Sequence, residues 1–274
     1  MFDFFSKNKK SSQSSQIKNN ILTMEDINTK HIKSLYSFIE KRTGILLDTN
    51  KQIIQHKILS FCLENNISSF SILLDKLKNN KVLFEKFISI ITINETYFFR
   101  EKEQIIDALN SYKKIPKKEL RILSLPSSSG DEVYTIVFLA LYMNITNFHV
   151  VGVDIDEDVI QKAKSGIYQQ RALHKIDREI LVKYFDVKGD MYRIKKSVKN
   201  FTSFYQYNLF EDELFELGTF DIIFSRNMFI YFHDEKKIKA YKRLENLRKS
   251  DSSPIYLGHA DISSKLDQYI RSQK

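Results

Sequence analysis

The stretch Arg121-Ile-Leu-Ser-Leu-Pro-Ser-Ser-Ser-Gly-Asp-Glu-Val-Tyr134 constrains this chain more than any other. A short apolar run (Ile122, Leu123, Leu125) stops at Pro126 and gives way to small residues, Ser127 to Gly130. Two acids follow, and Val133, Ile136, Val137, Ala140 and Leu141 then recur at helical spacing. The pattern spells strand, tight turn, helix. Small side chains in such a turn let a ligand approach the backbone, and the free N–H groups of the helix start attract its polar atoms. A second strand, Phe148 to Val153, ends on Asp154. Nucleotide-binding sheets place the acid that receives the ribose hydroxyls there, about 20 residues past the turn.

The turn departs from the glycine-rich dinucleotide fingerprint. It has one glycine, and Asp131 and Glu132 stand where a pyrophosphate would sit. Paired acids repel a polyphosphate and suit a ligand carrying an ammonium and a sulfonium, which points to S-adenosylmethionine over NAD or ATP. An ordinary strand–helix turn with solvated acids is the plainer alternative. Downstream, helices over Asp156–Gly166, Asp177–Tyr184 and Asp234–Lys249 alternate with strands over Phe220–Ser225 and Pro254–Leu257. Alternation of this kind predicts a mostly parallel, doubly wound sheet with its ligand outside the carboxyl ends of the strands. Glu132, Asp154, Asn208, Arg226 and Asn227 all fall at or just past such ends. Met191–Lys196 and Asn200–Tyr207 alternate in polarity and predict a small antiparallel unit over 187–207.

The rest of the chain divides around this region, 115–274. Residues 1–20 are polar and are expected to be disordered. Residues 21–92 carry helical stripes, among them Ile32, Leu35, Tyr36 and Ile39, then Ile54, Ile58, Phe61 and Cys62. Thr23–Asp26 resembles a capping box, Gly44 ends a helix and Asp48 caps the next. We expect an all-α domain of roughly four short helices. Its face near Lys51, Gln55, His56 and Lys57 is mildly basic, either solvated surface or a docking face. In the linker 93–114, Asn94-Glu-Thr-Tyr-Phe-Phe-Arg100 sets Asn94, Thr96 and Arg100 between aromatic rings. That spacing suggests one face in a core and one on a ligand.

Composition narrows the function classes. The single cysteine, Cys62, excludes an internal disulfide framework. Net charge is +9, but lysines and acids interleave throughout and no arginine-rich run occurs, which argues against a nucleic-acid binder and suits an acidic protein partner. No apolar run approaches the ~18–20 residues that span a bilayer, and the first residues lack a signal-peptide hydrophobic region. A cytoplasmic protein without direct membrane insertion and without a metal site is expected.

Further segments carry a specific likeness: Ile91-Thr-Ile-Asn-Glu-Thr-Tyr-Phe-Phe-Arg100, Ser128-Ser-Gly-Asp-Glu132, Val153-Asp-Ile-Asp156 with Ala163-Lys-Ser-Gly-Ile-Tyr168, Tyr207-Asn-Leu209, Phe220-Asp-Ile-Ile-Phe-Ser-Arg-Asn-Met-Phe-Ile-Tyr-Phe232 and Leu257-Gly-His259. In this order, over roughly residues 30–260, they resemble the chemotaxis receptor glutamate methyltransferases, the CheR family. The resemblance implies an α/β, Rossmann-like S-adenosylmethionine-dependent methyltransferase domain with a small antiparallel β subdomain, preceded by an all-α N-terminal domain. It implies methylation of glutamate side chains on the cytoplasmic domain of chemoreceptors. It assigns the cofactor to Asn94, Thr96, Arg100, Glu132, Asp154, Asn208, Leu209, Arg226 and Asn227, and the reaction centre to Arg100 and Tyr231. Asp154 would take the ribose hydroxyls, Glu132 the ammonium end, Arg100 a carboxylate, and Tyr231 the acceptor.

The chain departs from the family pattern in places. The first acid of the turn is shortened to Asp131, a proline is replaced by Val133, and the closing Gly-His-Ser-Glu reads Gly-His-Ala-Asp at 258–261. These changes motivate an alternative, a weakened methyltransferase-like domain that binds the cofactor as a sensor or scaffold. A nucleic-acid methyltransferase would carry an Asn/Asp-Pro-Pro-Tyr-like loop where this chain has Arg226-Asn-Met-Phe229. The short Val187-Lys-Gly-Asp190 turn offers few backbone groups for an added strand. Independence from a receptor tether peptide is therefore expected, with docking resting on Lys51 and Lys57.

Overall fold

The computed structural model describes residues 30–47, 52–92, 95–112 and 119–273. The expected disorder over 1–20, the Thr23–Asp26 start, the Asp48 cap, and the candidates Asn94 and Lys51 all lie outside the described residues.

Among the described residues four helices come first: α1 (Lys30–Thr43), α2 (Gln52–Glu64), α3 (Phe70–Asn79) and α4 (Lys81–Ile91). Side-chain caps start two of them, since Ser69 accepts the Ile72 N–H and Asn80 accepts the Leu83 N–H, each satisfying a donor that a helix leaves orphaned. The apolar stripes meet in a core of their own, with Leu35, Ile39, Ile58, Leu73 and Phe87 fully buried and Phe61 edge-on to Phe87 at 5.1 Å. Cys62 is part of that core, and burial pushes its thiol up to about 12, so it is inert packing.

After α5 (Lys102–Tyr112) the chain alternates: β1 (Leu120–Ser124), α6 (Asp131–Tyr142), β2 (Phe148–Asp154), α7 (Glu157–Ser165). A small excursion follows: β3 (Ile167–Gln169), α8 (Arg178–Tyr184), β4 (Phe185–Lys188), β5 (Met191–Ile194) and the single turn α9 (Lys196–Lys199). The main sheet then resumes with β6 (Thr202–Gln206), β7 (Ile222–Ser225), α10 (Asp234–Glu245), β8 (Ile255–Leu257) and α11 (Ser264–Ser272). Its order is β6-β2-β1-β7-β8, with every pairing parallel. Both faces are covered. One core holds Ile122, Val137, Phe138 and Val150, and the other holds Leu123, Val151, Ile223 and Leu244. The chain runs outward from β1 to β6, then returns to β7 on the other side of β1. The switch point between β1 and β7 is where such sheets open a crevice.

The antiparallel unit differs from the expectation for 187–207. It consists of β3-β5-β4, with Phe185–Lys188 already a strand and only Gly189 and Asp190 between β4 and β5. Thr202–Gln206 leaves it and pairs in parallel with β2, from Val150 opposite Thr202 to Asp154 opposite Gln206. The physical reason is α9, whose turn reverses the chain between β5 and β6. Polarity alternates alike in a half-covered parallel edge strand and an antiparallel one, and β3 is too short to show a period.

Candidate active site

The turn after β1 places its atoms through backbone bonds. Ser127 N–H donates to the Val153 carbonyl at 2.8 Å, which seats the turn beside the tip of β2. Gly130 caps α6 at φ +89°, a left-handed conformation that suits glycine. An added Cβ there would meet the Ala163 Cβ at 3.0 Å, so glycine also lets α7 approach. Ser128 N–H donates to Asp154 Oδ2 at 2.8 Å and Asp156 N–H donates to Oδ1 at 3.1 Å. A carboxylate offers about four acceptor positions, so Asp154 keeps capacity for a further donor. Asp154 is buried, and burial lifts its carboxyl to about 6 against the pull of the backbone N–H donors of Asp156, Ser128 and Ile155. The hydroxyls of Ser127 and Ser128 are buried with no hydrogen-bond partner among the described residues. Unpaired polar atoms facing a cleft mark where a polar ligand is accommodated.

That cleft encloses about 1280 Å³, counting space open to solvent. Thr96, Arg100, Glu132, Asp154, Asn208, Leu209, Arg226, Asn227 and Tyr231 all line it. Lys57 lies elsewhere, with its ammonium on the Thr92 carbonyl at the end of α4, 3.3 Å away.

Two of these residues are bound to each other. Glu132 Oε2 accepts the Arg226 Nε at 2.6 Å, and Oε1 accepts the Ser124 hydroxyl at 2.8 Å. The Arg226 side chain is only 2% exposed, and its remaining donors reach the carbonyls of Arg100 (2.8 Å) and Glu101 (3.1 Å). Arg226 therefore holds the linker in place from the wall of the cleft that it lines. The held segment needs holding, because Phe99 (φ +62°) and Glu101 (φ +47°) occupy a region costly for non-glycine residues. Phe99 N–H adds a bond to the Thr135 hydroxyl at 3.0 Å. The aromatic run divides, with Phe98 fully buried against Phe138, Tyr168 and Phe185 while Tyr97 and Arg100 face the cleft. Arg100 donates to the Glu95 carbonyl and lies over the Tyr97 ring, with no carboxylate in ion-pair range among the described residues. Its charge is felt at Tyr231, whose phenol burial pushes up and Arg100 pulls back down.

Asn208 is also engaged: its amide donates to the Arg42 carbonyl at 2.8 Å and its oxygen accepts the Phe210 N–H at 3.0 Å. Sequence reasoning missed Asp261. Fully buried, it accepts the N–H groups of Asn227 (2.5 Å), Gly258 (2.9 Å) and Ile230 (3.2 Å), and so shapes the loop between Asn227 and Tyr231. Burial raises its carboxyl although those donors lower it. The signal was an acid three residues after Gly258, the spacing of a side chain closing its own turn.

The residue set fits S-adenosylmethionine: a β2-tip acid with acceptor capacity left for hydroxyls, orphaned serine hydroxyls, and an unpaired arginine beside a tyrosine. Comparison with known proteins agrees. The family described as "CheR methyltransferase, SAM binding domain" matches residues 94–274. The "Chemotaxis protein methyltransferase" of Campylobacter jejuni is 37% identical over 232 residues, 84% of this chain and 88% of that protein. "Chemotaxis protein methyltransferase 2" of Vibrio cholerae is 30% identical over 200 residues, 68% of each chain. The Salmonella typhimurium "Chemotaxis protein methyltransferase" is 29% identical over 247 residues, 86% of this chain and 85% of that one.

Proposed function

Because this chain belongs to the CheR methyltransferase family and uses S-adenosylmethionine, we propose that it esterifies glutamate side chains on the cytoplasmic domain of chemoreceptors. The observation that carries this reading is one cleft lined by Asp154, Glu132, Arg100 and Tyr231 together. When bound, the cofactor supplies an electrophilic methyl group on a sulfonium. Asp154 would hold the ribose hydroxyls with its remaining acceptor capacity. Glu132 would face the amino end, with Arg226 fixing its orientation. A substrate glutamate, with a pKa of ~4.3, is already ionised at neutral pH, so the protein needs no general base. Its task is to position the carboxylate and exclude water. Arg100, cationic and without an ion-pair partner among the described residues, would steer the carboxylate. Tyr231 would orient it, its phenol kept neutral by burial.

Incubation with methyl-labelled cofactor and a receptor cytoplasmic fragment tests the reading. Base-labile label on glutamates is expected. Cofactor binding without label would instead favour the sensor or scaffold alternative.

We further propose a cytoplasmic location, docking on acidic receptor helices without a tether peptide, and no nucleic-acid substrate. Among the described residues no helix is long and apolar enough to cross a membrane. Docking would use the basic face of the helical domain, with Lys51 and Lys57. Lys57 is half-buried and caps α4, so Lys57→Glu must be checked for folding before any loss is read as docking. Removal of the receptor's C-terminal tail should leave methylation intact, whereas the double charge reversal at Lys51 and Lys57 should lower it in a salt-sensitive way.

A further inference from the structure

The loop that leaves β7 after Ser225 carries Asn227 and Tyr231 into the cleft. Its backbone needs outside support. Asn227 is left-handed, at φ +61°, and one short turn of 3-10 helix, Phe229–Tyr231, follows before Phe232 returns to extended backbone. Inside the loop, the Tyr231 N–H donates to the Met228 carbonyl and the Phe232 N–H to that of Phe229. The N–H groups of Asn227 and Ile230 are taken instead by a side chain from the neighbouring strand's end. β8 pairs with β7 in parallel, Leu257 opposite Ser225, so the turn after β8 lies beside the loop. In that turn the Asp261 N–H donates to the Gly258 carbonyl at 3.0 Å, and the Gly258 N–H donates to Asp261 Oδ2 at 2.9 Å. The same Oδ2 accepts the Asn227 N–H at 2.5 Å, and Oδ1 accepts the Ile230 N–H at 3.2 Å. One carboxylate thus brackets the stretch that ends at Tyr231.

The fit is close on every side. An added Cβ at Gly258 would stand 2.8 Å from Asp261 Oδ2 and 3.0 Å from the Asn227 nitrogen, so glycine is what lets the acid reach the loop. Asp261 has no exposed surface, and a carboxylate in that state is tolerated only where donors satisfy it. Burial raises its carboxyl, and the N–H groups of Asn227, Gly258, Ile230 and Phe229 pull it back down. An apolar side chain could fill the same space, but it could not fix the directions of those N–H groups. Asp261 does not itself line the cleft, so whatever it does for the chemistry it does through the loop.

We propose that Asp261 is a positioning residue for methyl transfer: by holding the N–H groups of Asn227 and Ile230 it sets where the Tyr231 phenol stands, and turnover depends on it through Tyr231. This rests on Tyr231 belonging to the reaction centre, as read above. A double-mutant cycle on the whole protein tests it, with methyl transfer to a receptor cytoplasmic fragment measured at saturating cofactor. Asp261→Asn keeps the side chain's size but sets an amide donor against backbone donors. Its kcat should fall about 10- to 100-fold, the range that a displacement of about 1 Å costs. Gly258→Ala leaves the carboxylate intact, crowds it away from the Asn227 nitrogen, and should lower kcat in the same direction. On a Tyr231→Phe background, Asp261→Asn should cost less than about threefold more, because a residue acting through the phenol then has nothing left to position. If Asp261→Asn does not fold, Gly258→Ala takes its place in the cycle. An equal loss with and without the phenol would make Asp261 a packing residue and overturn the proposal. Unchanged turnover in both Asp261→Asn and Gly258→Ala would overturn it too, while a slowed Tyr231→Phe would leave the reaction centre standing. Unchanged turnover in Tyr231→Phe, or a parent protein that transfers no label, would remove the reading of the centre itself, and the proposal with it.

Discussion

The two walls of the cleft are built on opposite principles. The wall from the sheet is polar and pinned: Asp154 and Asp261 each take several backbone N–H groups, and Glu132 and Arg226 take each other. The wall from the helical domain is mostly apolar and crosses to the sheet by a few bonds, among them Leu46 to Tyr231 and Asn208 to Arg42. Pinned charges set direction, because a buried carboxylate or guanidinium is tolerated only in a geometry that satisfies it. Apolar surface sets exclusion, because it is indifferent to orientation and sensitive only to what covers it. The proposed methyl transfer to an ionised carboxylate needs both.

The pinned wall should break hardest at Arg226. Arg226→Met leaves the half-buried Glu132 carboxylate without its guanidinium and two carbonyls unclaimed, and removing one partner of a largely buried pair costs about 3–5 kcal/mol. Urea unfolding should show a loss of that order together with abolished activity. A change under about 1 kcal/mol would mean that the clamp on the linker is incidental. Arg100→Ala sharpens the contrast, since Arg100 faces the cleft and bears no buried partner. Turnover should fall by about 100-fold or more, as for lost transition-state electrostatics, while unfolding free energy moves by less than about 1 kcal/mol. Full activity would reduce Arg100 to a surface charge.

Asp154 probes the same wall through affinity. Asp154→Ala should weaken S-adenosylhomocysteine binding by roughly 10- to 100-fold, the worth of a charged hydrogen-bond acceptor. In the parent protein the acceptor must be ionised, and burial holds its carboxyl at about 6. Affinity should therefore be flat above about pH 7 and fall as pH drops below about 6. Calorimetry giving the same affinity at pH 5 and pH 8 would remove Asp154 from the ribose position.

The smallest effect concerns Asp131, buried one residue away from Glu132 with the Ser129 hydroxyl at 2.6 Å. Burial raises its carboxyl to about 6, above the unfolded value of about 3.9. Its contribution to stability is present below the unfolded pKa and is lost as pH rises through about 6, and Asp154 acts in the same direction. Asp131→Asn should remove its share, on the order of 2 kcal/mol between pH 4 and 7. The difference in urea midpoint between variant and parent should therefore grow in the variant's favour as pH rises. A constant difference would show that the parent's Asp131 titrates as if exposed.

What the sequence determined by itself is what local pattern can carry. The strand–turn–helix over Arg121–Tyr134 was legible, as were the acids at the start of α6 and the tip of β2, the helical stripes before residue 92 and the likeness to a cofactor class. Each depends on spacing within one or two elements, and the parallel order of the main sheet follows from their alternation. The tertiary structure decided who meets whom. Glu132 and Arg226 stand 94 residues apart, and the fold brings them into an ion pair on the wall of one cleft. The same holds for Asn208 on Arg42, 166 residues away, and for Asp261 under the loop that carries Tyr231. Thr202–Gln206 became a parallel edge strand because α9 turned the chain, and Leu46 came to the cleft with the α1–α2 loop, which its N–H ties to the Tyr231 carbonyl. These outcomes depend on which buried donors and acceptors remain unsatisfied once the elements have packed, a condition set by the whole assembly and written in no single stretch of chain.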